Sequence, residues 1–384
     1  MCGIVGYIGK EQAAPILIEG LSRLEYRGYD SAGVAVFDAE SGSLAVHKAK
    51  GRLQVLSEQL HGGADLDSTV GVGHTRWATH GAPSDINSHP QMSRSGKIAV
   101  VHNGIIENYT ELKGFLQSKG VPFVSETDTE VVAQLIEYFY DGDLLQAVGR
   151  VLRRIQGAYA LGILCADCPD QIVSVRKDSP LILGWGEGCN FIASDVTAIL
   201  RHTRRVSYME DGELAVLTRE GIRCYNHLMQ PIDKDVVTID WEMDAAEKGG
   251  YEHFMFKEIM EQPEALRRCL SPRIRNGEAV FEDFSLSEDY VKTMNRIYIV
   301  ACGSSYHVGM VGKYHLERLT RIPVEVALGS EFRYMDPIVD EHTLVIVISQ
   351  SGETLDTMAA LREARRLGGH ILSIVNVVGS SIAR

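Results

Sequence analysis

The chain has 384 residues, of which 45% are hydrophobic, enough to build the cores of two or three domains. Its 38 lysines and arginines against 51 acidic residues give a net charge of −13, which argues against a broad nucleic-acid surface. No run of 18 apolar residues occurs, so we expect no membrane span. The seven cysteines are scattered through the chain, which is typical of reduced thiols in a cytoplasmic protein. We predict no metal and no cofactor, since Cys165 and Cys168 have no second ligand pair nearby.

The first part of the chain, to about residue 240, has the pattern of many short strands and two helices. Residues 98–102 are predicted to form a strand that runs into Asn103-Gly104, a strong turn signal. Residues 171–176 and 190–193 are further apolar strands. A helix is predicted over 129–140, with Val131, Val132, Leu135 and Tyr138 on one face. This mixture predicts antiparallel sheet covered by helices, an α+β fold.

The pattern changes near residue 296. An apolar strand is predicted at 296–301 and further strands at 323–328, 343–348 and 370–375, with a helix at 355–366. Repeated strand, loop and helix indicates βαβ units, hence an α/β fold with a parallel sheet buried on both faces. We therefore predict a first domain over residues 2–230, a charged connector over 231–290, and a second domain over 291–384 that is incomplete at its C-terminal end.

Cys2 is the first candidate for chemistry. If Met1 is removed, one residue carries both a thiol and a free α-amino group, which can act as nucleophile and base. A buried structural cysteine at the start of a strand is the alternative.

Three loops of the first part carry polar groups at predicted strand ends. Arg76, in a loop bounded by glycines, can bind a carboxylate with two hydrogen bonds. Asn103 and the Gly104 N–H can hold a developing oxyanion, although an ordinary Asn-Gly turn is equally compatible with the residues. Asp128 and Thr127 precede a helix, so either can simply cap it.

Taken together, these stretches resemble the glutaminase domain of the N-terminal-nucleophile amidotransferases. CGI at the N-terminus is followed by RGYDS, GHTRWATHG, HNGIIEN and SETDTE in the order of that family, over residues 2 to about 230. The resemblance implies an αββα sandwich with the terminal cysteine at the end of a central strand. It also implies roles for individual residues. Cys2 would be the nucleophile with its amine as the base, Asn103 and Gly104 the oxyanion hole, and the glutamine-binding residues would be Arg76, Trp77, Thr79, His80 and Asp128.

The second part has its own polar loop, Ser349-Gln350-Ser351-Gly352-Glu353-Thr354, between a buried strand and a helix. Hydroxyls, a glycine and the N–H groups of the helix can form an anion cradle; helix capping without any ligand is the alternative. The loop, with ACGSSYHVG before it, resembles the sugar-isomerase domain that binds phosphosugars. The phosphate site implied by the resemblance comprises Ser305, Ser349, Gln350, Ser351 and Thr354.

The order of the two domains, with KGGYEHFMFKEIMEQP between them, resembles the family of glutamine–fructose-6-phosphate aminotransferases. That resemblance implies glutamine and fructose 6-phosphate as substrates, glucosamine 6-phosphate as product, and a homodimer when full length. Another amidotransferase of the same nucleophile class, or a non-catalytic phosphosugar-binding regulator, are the alternatives. The family continues beyond the segment matched here with an isomerase glutamate, a ring-opening histidine and a lysine. We therefore expect this chain to be a fragment that hydrolyses glutamine without completing sugar synthesis.

Overall fold

The computed structural model describes residues 2–25, 28–239, 251–281, 286–377 and 380–383. The chain divides into two compact units, Met1–Glu247 and Lys248–Arg384, which are described separately. In these described ranges, every helix is too short or too polar to cross a membrane.

Among its described residues, the first unit contains fifteen strands and five α-helices. The helices are α1 (Ala13–Ser22), α2 (Leu53–Gln59), α3 (Tyr109–Ser118), α4 (Thr129–Phe139) and α5 (Leu144–Leu152). The strands are β1 (Gly3–Ile8), β2 (Ser31–Asp38), β3 (Ser43–Lys50), β4 (Val70–Arg76), β5 (Gln91–Met92), β6 (Ile98–Ile106), β7 (Gly157–Cys165), β8 (Ile172–Lys177), β9 (Ile182–Trp185), β10 (Asn190–Ala193), β11 (Arg205–Tyr208), β12 (Leu214–Leu217), β13 (Ile222–Tyr225), β14 (Pro231–Ile232) and β15 (Val237–Thr238).

These strands form two antiparallel sheets that pack face to face between two layers of helices. The first sheet has the order β15-β11-β9-β10-β1-β4-β2-β3, and the second has the order β14-β13-β12-β8-β7-β6-β5. One core lies between the first sheet and helices α1 and α2, and another lies between the second sheet and helices α3 to α5. A third core joins the two sheets. The unit is therefore an αββα sandwich.

The core between the sheets is closely packed. Ile4 and Val72 come from the first sheet, and Val101 comes from the second. A Cβ on Gly162 of β7 would lie 2.7 Å from Cδ1 of Ile192 on β10, which belongs to the opposite sheet. The close approach of the sheets therefore requires glycine at this position.

The structure confirms the α+β class and corrects two details. Asn103 and Gly104 do not form a turn, because β6 continues through them to Ile106 and pairs with β7 along its whole length. Tyr138 is exposed and contacts Phe115 edge-on, so it does not share the buried face of α4. Strand 190–193 is confirmed residue for residue, and the strand at 171–176 is confirmed with a shift of one residue at each end.

The second unit contains a parallel sheet of four strands in the order β19-β18-β20-β21. Its elements are α6 (Phe254–Leu270), β16 (Ile274–Arg275), β17 (Glu278–Ala279), α7 (Glu288–Thr293), β18 (Arg296–Ala301), α8 (Gly303–Thr320), β19 (Val324–Leu328), α9 (Gly329–Phe332), β20 (Thr343–Ser349), α10 (Leu355–Arg366) and β21 (His370–Val375). The two central strands, β18 and β20, are buried on both faces, with α10 on one side and α8 on the other, whereas the outer strands β19 and β21 are partly exposed. The predicted α/β class and the helix at 355–366 are confirmed.

Residues of the predicted connector, 231–290, occur in both units. Strands β14 and β15 pair within the sheets of the first unit, whereas α6, the hairpin of β16 and β17, and α7 belong to the second. Residues 240–250 and 282–285 lie outside the described residues, as do Met1, Tyr26, Arg27, 378–379 and Arg384.

Candidate active site

Cys2 lies directly before β1, a central strand of the first sheet whose residues are all buried. Its Sγ accepts a hydrogen bond from the Trp77 N–H at 3.2 Å. Burial raises the pKa of the Cys2 thiol, while the Trp77 N–H and the Arg76 guanidinium act in the opposite direction. Because burial is the largest of these effects, the thiol keeps its proton near neutral pH, and nucleophilic attack requires a base.

Arg76 ends β4, the strand next to β1, and only 3% of it is exposed. Its Nη2 donates to the carbonyl oxygens of His80 and Gly81, the latter at 3.2 Å. Its Nη1 is buried and has no hydrogen-bond partner among the described residues. Burying a guanidinium with only carbonyl partners is costly unless an anion binds it. The site therefore offers an unused donor for a negatively charged group.

A short loop, residues 77–81, lies over Arg76. The Ala78 N–H donates to Asp30 Oδ2 at 2.7 Å, and the Asp30 N–H donates to the Arg76 carbonyl at 3.0 Å. The loop carries Trp77, which is 46% exposed, and Thr79, whose hydroxyl lies 3.3 Å from His80 Nδ1. The sequence analysis gave Asp30 no role, although Asp30 is the aspartate of the RGYDS motif and could have been noticed there.

Asn103 and Gly104 lie on β6, in the second sheet. Asn103 Nδ2 donates to the Cys2 carbonyl at 3.0 Å, which joins the two sheets at the nucleophile. Gly104 has φ +126°, and a Cβ there would lie 2.0 Å from the carbonyl oxygen of Ala158. Only glycine fits both the backbone conformation and the space. The amide side chain and the Gly104 backbone are thus fixed beside Cys2 by strand pairing rather than by a flexible turn.

Asp128 precedes α4 but does not cap it by a side-chain hydrogen bond. The Glu130 N–H donates instead to Thr127 Oγ1 at 3.3 Å, so Thr127 provides the capping bond. Asp128 is 4% exposed, and its Oδ2 accepts from the Ile106 N–H at 2.8 Å. Burial lowers the pKa of the Arg76 guanidinium, and the negative charge of Asp128 opposes this shift, so opposite charges share one site. The structure thus brings Cys2, Arg76 and Asn103 together with Asp128.

Three buried histidines stand next to these residues, and sequence reasoning assigned none of them a role. His74 and His89 have ring centroids 4.4 Å apart, and His89 and His102 are 6.3 Å apart. His74 Nε2 lies 3.1 Å from Asn103 Oδ1, and His102 Nδ1 lies 2.8 Å from Thr129 Oγ1. Burial lowers the pKa of all three, to about 3 for His74. His74 lies in GHTRWATHG and His102 in HNGIIEN, so these motifs could have indicated two of the three histidines, whereas His89 lies in neither.

In the second unit, the predicted phosphate residues lie at the carboxyl edge of the parallel sheet. Strands β18 and β20 are neighbours, so Ser305 in the first turn of α8 and the loop from Ser349 to Thr354 lie at the same edge. Ser349 Oγ accepts from the Gly352 N–H at 3.0 Å and lies 3.2 Å from Thr354 Oγ1. Gln350 is exposed and Ser351 is half-buried. The hydroxyls of these residues and the N-terminus of α10 therefore lie at one edge of the sheet.

Comparison with known proteins agrees with both units. Residues 74–201 match a family described as a glutamine amidotransferase domain, and residues 291–384 match the SIS domain. The glutamine–fructose-6-phosphate aminotransferase (isomerizing) of Caldanaerobacter subterraneus subsp. tengcongensis is 56% identical over 385 residues. The enzyme of that name from Thermus thermophilus is 49% identical over 384 residues.

The chain is a homologue of the glutamine–fructose-6-phosphate aminotransferases. Both matches cover 100% of the chain, and the chain spans 63% of the length of those relatives. A glutamine phosphoribosylpyrophosphate amidotransferase from B. subtilis is similar in fold, with a TM-score of 0.53 at 20% identity over 98% of this chain and 81% of that one. The fold of the first unit is therefore the N-terminal-nucleophile αββα sandwich, and the second unit carries the sugar-isomerase fold that the sequence predicts.

Proposed function

We propose that the first unit hydrolyses glutamine to glutamate and ammonia, with Cys2 as the nucleophile. The observation that carries this proposal is the buried Arg76 guanidinium, whose Nη1 lacks a partner among the described residues beside a cysteine thiol. Arg76 would bind the α-carboxylate of glutamine and Asp128 its α-ammonium group. With the two ends of the amino acid bound in this way, its side-chain amide would point toward Cys2.

In the proposed reaction, Cys2 Sγ attacks the amide carbon and forms a tetrahedral oxyanion. Asn103 Nδ2 and the Gly104 N–H donate to this oxygen, which stabilises the transition state more than the substrate. The carbon–nitrogen bond then breaks, and the nitrogen leaves as ammonia after taking up a proton. Water attacks the resulting thioester, which releases glutamate and restores the thiol. Trp77, Thr79 and His80 lie in the loop that would cover the substrate.

The base for this sequence would be the α-amino group of Cys2 after removal of Met1. An unperturbed α-amine has a pKa near 8, so it can accept the thiol proton at neutral pH and return it to the leaving nitrogen. Burial raises the pKa of Cys2, which supports the need for such a base. We expect a protein that retains Met1 to be inactive, because the amide nitrogen is not basic.

For the second unit, we propose binding of a sugar phosphate through Ser305, Ser349, Gln350, Ser351 and Thr354. The names of the relatives point to fructose 6-phosphate as the sugar, which would accept ammonia to give glucosamine 6-phosphate in the complete protein. The complete protein would act as a homodimer. All seven cysteines are free thiols, which suits the cytoplasm. The alternative of another amidotransferase of the same nucleophile class is disfavoured, since residues 291–384 match the SIS domain.

The test is glutamate release from glutamine by the purified chain. Cys2→Ala should abolish it while circular dichroism and thermal melting stay unchanged. Cys269→Ala is the matched control, because Cys269 is an exposed free thiol elsewhere in the chain. Glutamate release by Cys2→Ala at the parent rate would refute the assignment. Loss of activity in Cys269→Ala would show that thiol replacement itself damages the protein.

A further inference from the structure

We propose that His74 is a positioning residue that fixes the orientation of the Asn103 amide. This proposal rests on the proposed glutaminase function and extends it to a residue that would touch neither glutamine nor the attacking sulfur. His74 lies on β4 of the first sheet, fully buried, and reaches across to Asn103 on β6 of the second. His74 therefore contacts the side-chain oxygen of Asn103, the proposed oxyanion donor, and leaves the Asn103 nitrogen free to face Cys2.

The hydrogen-bond chemistry leaves one arrangement. The Cys2 carbonyl oxygen can only accept, so the Asn103 atom 3.0 Å from it must be Nδ2. Asn103 Oδ1 then faces His74 Nε2 at 3.1 Å. An amide oxygen also only accepts, so Nε2 must carry the ring hydrogen.

A second contact leads independently to the same ring state. His74 Nε2 lies 3.0 Å from the carbonyl oxygen of His102, which again only accepts. Both contacts therefore require the Nε2–H form of the ring. His74 Nδ1 is buried without a hydrogen-bond partner in the described ranges, which fits a nitrogen that carries no hydrogen. Burial lowers the pKa of His74 to about 3, so the ring is neutral throughout the physiological range.

The consequence concerns how the oxyanion hole is preorganised. With Oδ1 bound to His74, Nδ2 is directed toward Cys2, where one hydrogen binds the Cys2 carbonyl and the other is available for the oxyanion. Without His74, the amide can rotate and present its oxygen to the developing negative charge. Preorganised donors act on the transition state, so the loss should appear in kcat rather than in KM.

His74→Leu and His74→Gln form the central comparison. Leucine fills similar space but cannot donate, whereas the glutamine amide nitrogen reaches about as far as Nε2 and can donate to both acceptors. We expect His74→Leu to lower kcat for glutamine hydrolysis about tenfold to a hundredfold with KM changed less than about threefold. His74→Gln should recover most of the lost turnover.

Val72→Ala controls for destabilisation alone. Val72 lies two residues earlier on β4, in the core between the sheets, and is fully buried. Its truncation should lower the melting temperature and leave kcat near that of the parent. Equal turnover of parent and His74→Leu, or a fall in kcat of Val72→Ala as large as that of His74→Leu, would overturn the positioning role. Equal losses in the Leu and Gln variants would do the same.

The tautomer can be measured without activity. Histidine labelled with ¹⁵N reports which ring nitrogen carries hydrogen, and the signal missing from His74→Gln assigns His74. The proposal expects hydrogen on Nε2, and hydrogen on Nδ1 would overturn it whatever the activity of the variants. If the parent chain failed to hydrolyse glutamine, the proposed function would fall, and the tautomer would still decide whether His74 orients Asn103.

Discussion

Acidification should destabilise the first unit through its three buried histidines before any carboxylate is protonated. His74, His89 and His102 have pKa values lowered by burial, whereas the same residues in an unfolded chain titrate near 6.5. The unfolded chain therefore binds more protons than the folded one below pH 6.5. By linkage, stability falls as pH decreases through this window, and it is fully retained above it.

The size of the expected loss of stability follows from the lowered pKa values of the histidines. His74 has a pKa of about 3 in the folded protein, so it stays neutral at pH 5. A histidine that stays neutral in the folded protein changes the free energy of unfolding by about 1.4 kcal/mol per pH unit well below 6.5, so His74 alone contributes roughly 1 kcal/mol between pH 6 and 5. The Asp128 carboxylate favours the charged form of His102, so the contribution of His102 is the smallest. The loss from His74, to which His89 and His102 add in the same direction, is measurable against a typical domain stability of about 5–15 kcal/mol.

Urea unfolding followed by tryptophan fluorescence is the appropriate assay. All three tryptophans lie in residues 1–247, so the signal reports on the first unit. His89→Leu removes one of the three groups and should reduce the pH slope by about 1.4 kcal/mol per pH unit. His227→Ala is the control for replacement of a histidine as such, because His227 is an exposed residue of the same unit. A free energy of unfolding that is constant from pH 6 to 5 would refute the reasoning.

Three further predictions concern the proposed sites. Arg76→Met should raise KM for glutamine by thirtyfold or more, since losing a buried charged partner costs about 2–5 kcal/mol, and steady-state kinetics with an unchanged KM would contradict it. Asn103→Ala should lower kcat by about a hundredfold or more, and a change confined to KM would remove its oxyanion role. Ser349→Ala should weaken fructose 6-phosphate binding about fivefold or more in calorimetric titration, whereas Thr320→Ala, at the far end of α8, should bind like the parent.

Local sequence pattern predicted the second unit well. The strand Arg296–Ala301 and the helix Leu355–Arg366 match their predicted bounds residue for residue. Strands of a parallel sheet are apolar on both faces and are bounded by polar loops, so their ends are sharp in the sequence.

The active site was harder to predict where its contacts are long-range. Asn103-Gly104 has the composition of a turn, yet Gly104 is required by the approach of Ala158, 54 positions along the chain. The contact between His74 and Asn103 joins two sheets, and nothing in the local pattern of either strand indicates it. Motif resemblance identified Cys2 and Arg76 as candidates, but the buried histidines beside them became visible only through packing.

The two halves of the proposed catalytic apparatus belong to different sheets. Cys2 precedes β1 of the first sheet, and Asn103 lies on β6 of the second. The distance between nucleophile and oxyanion donor is therefore set by the thickness of the side-chain layer between the sheets, including Val101 and Ile192. An added methyl group at Gly162 would press against Ile192 of the opposite sheet and so tend to widen this layer. The hydrophobic interior of this unit thus serves as a spacer for its chemistry, and a group added to that layer, rather than a truncation within it, can alter the alignment of the reacting groups without meeting glutamine.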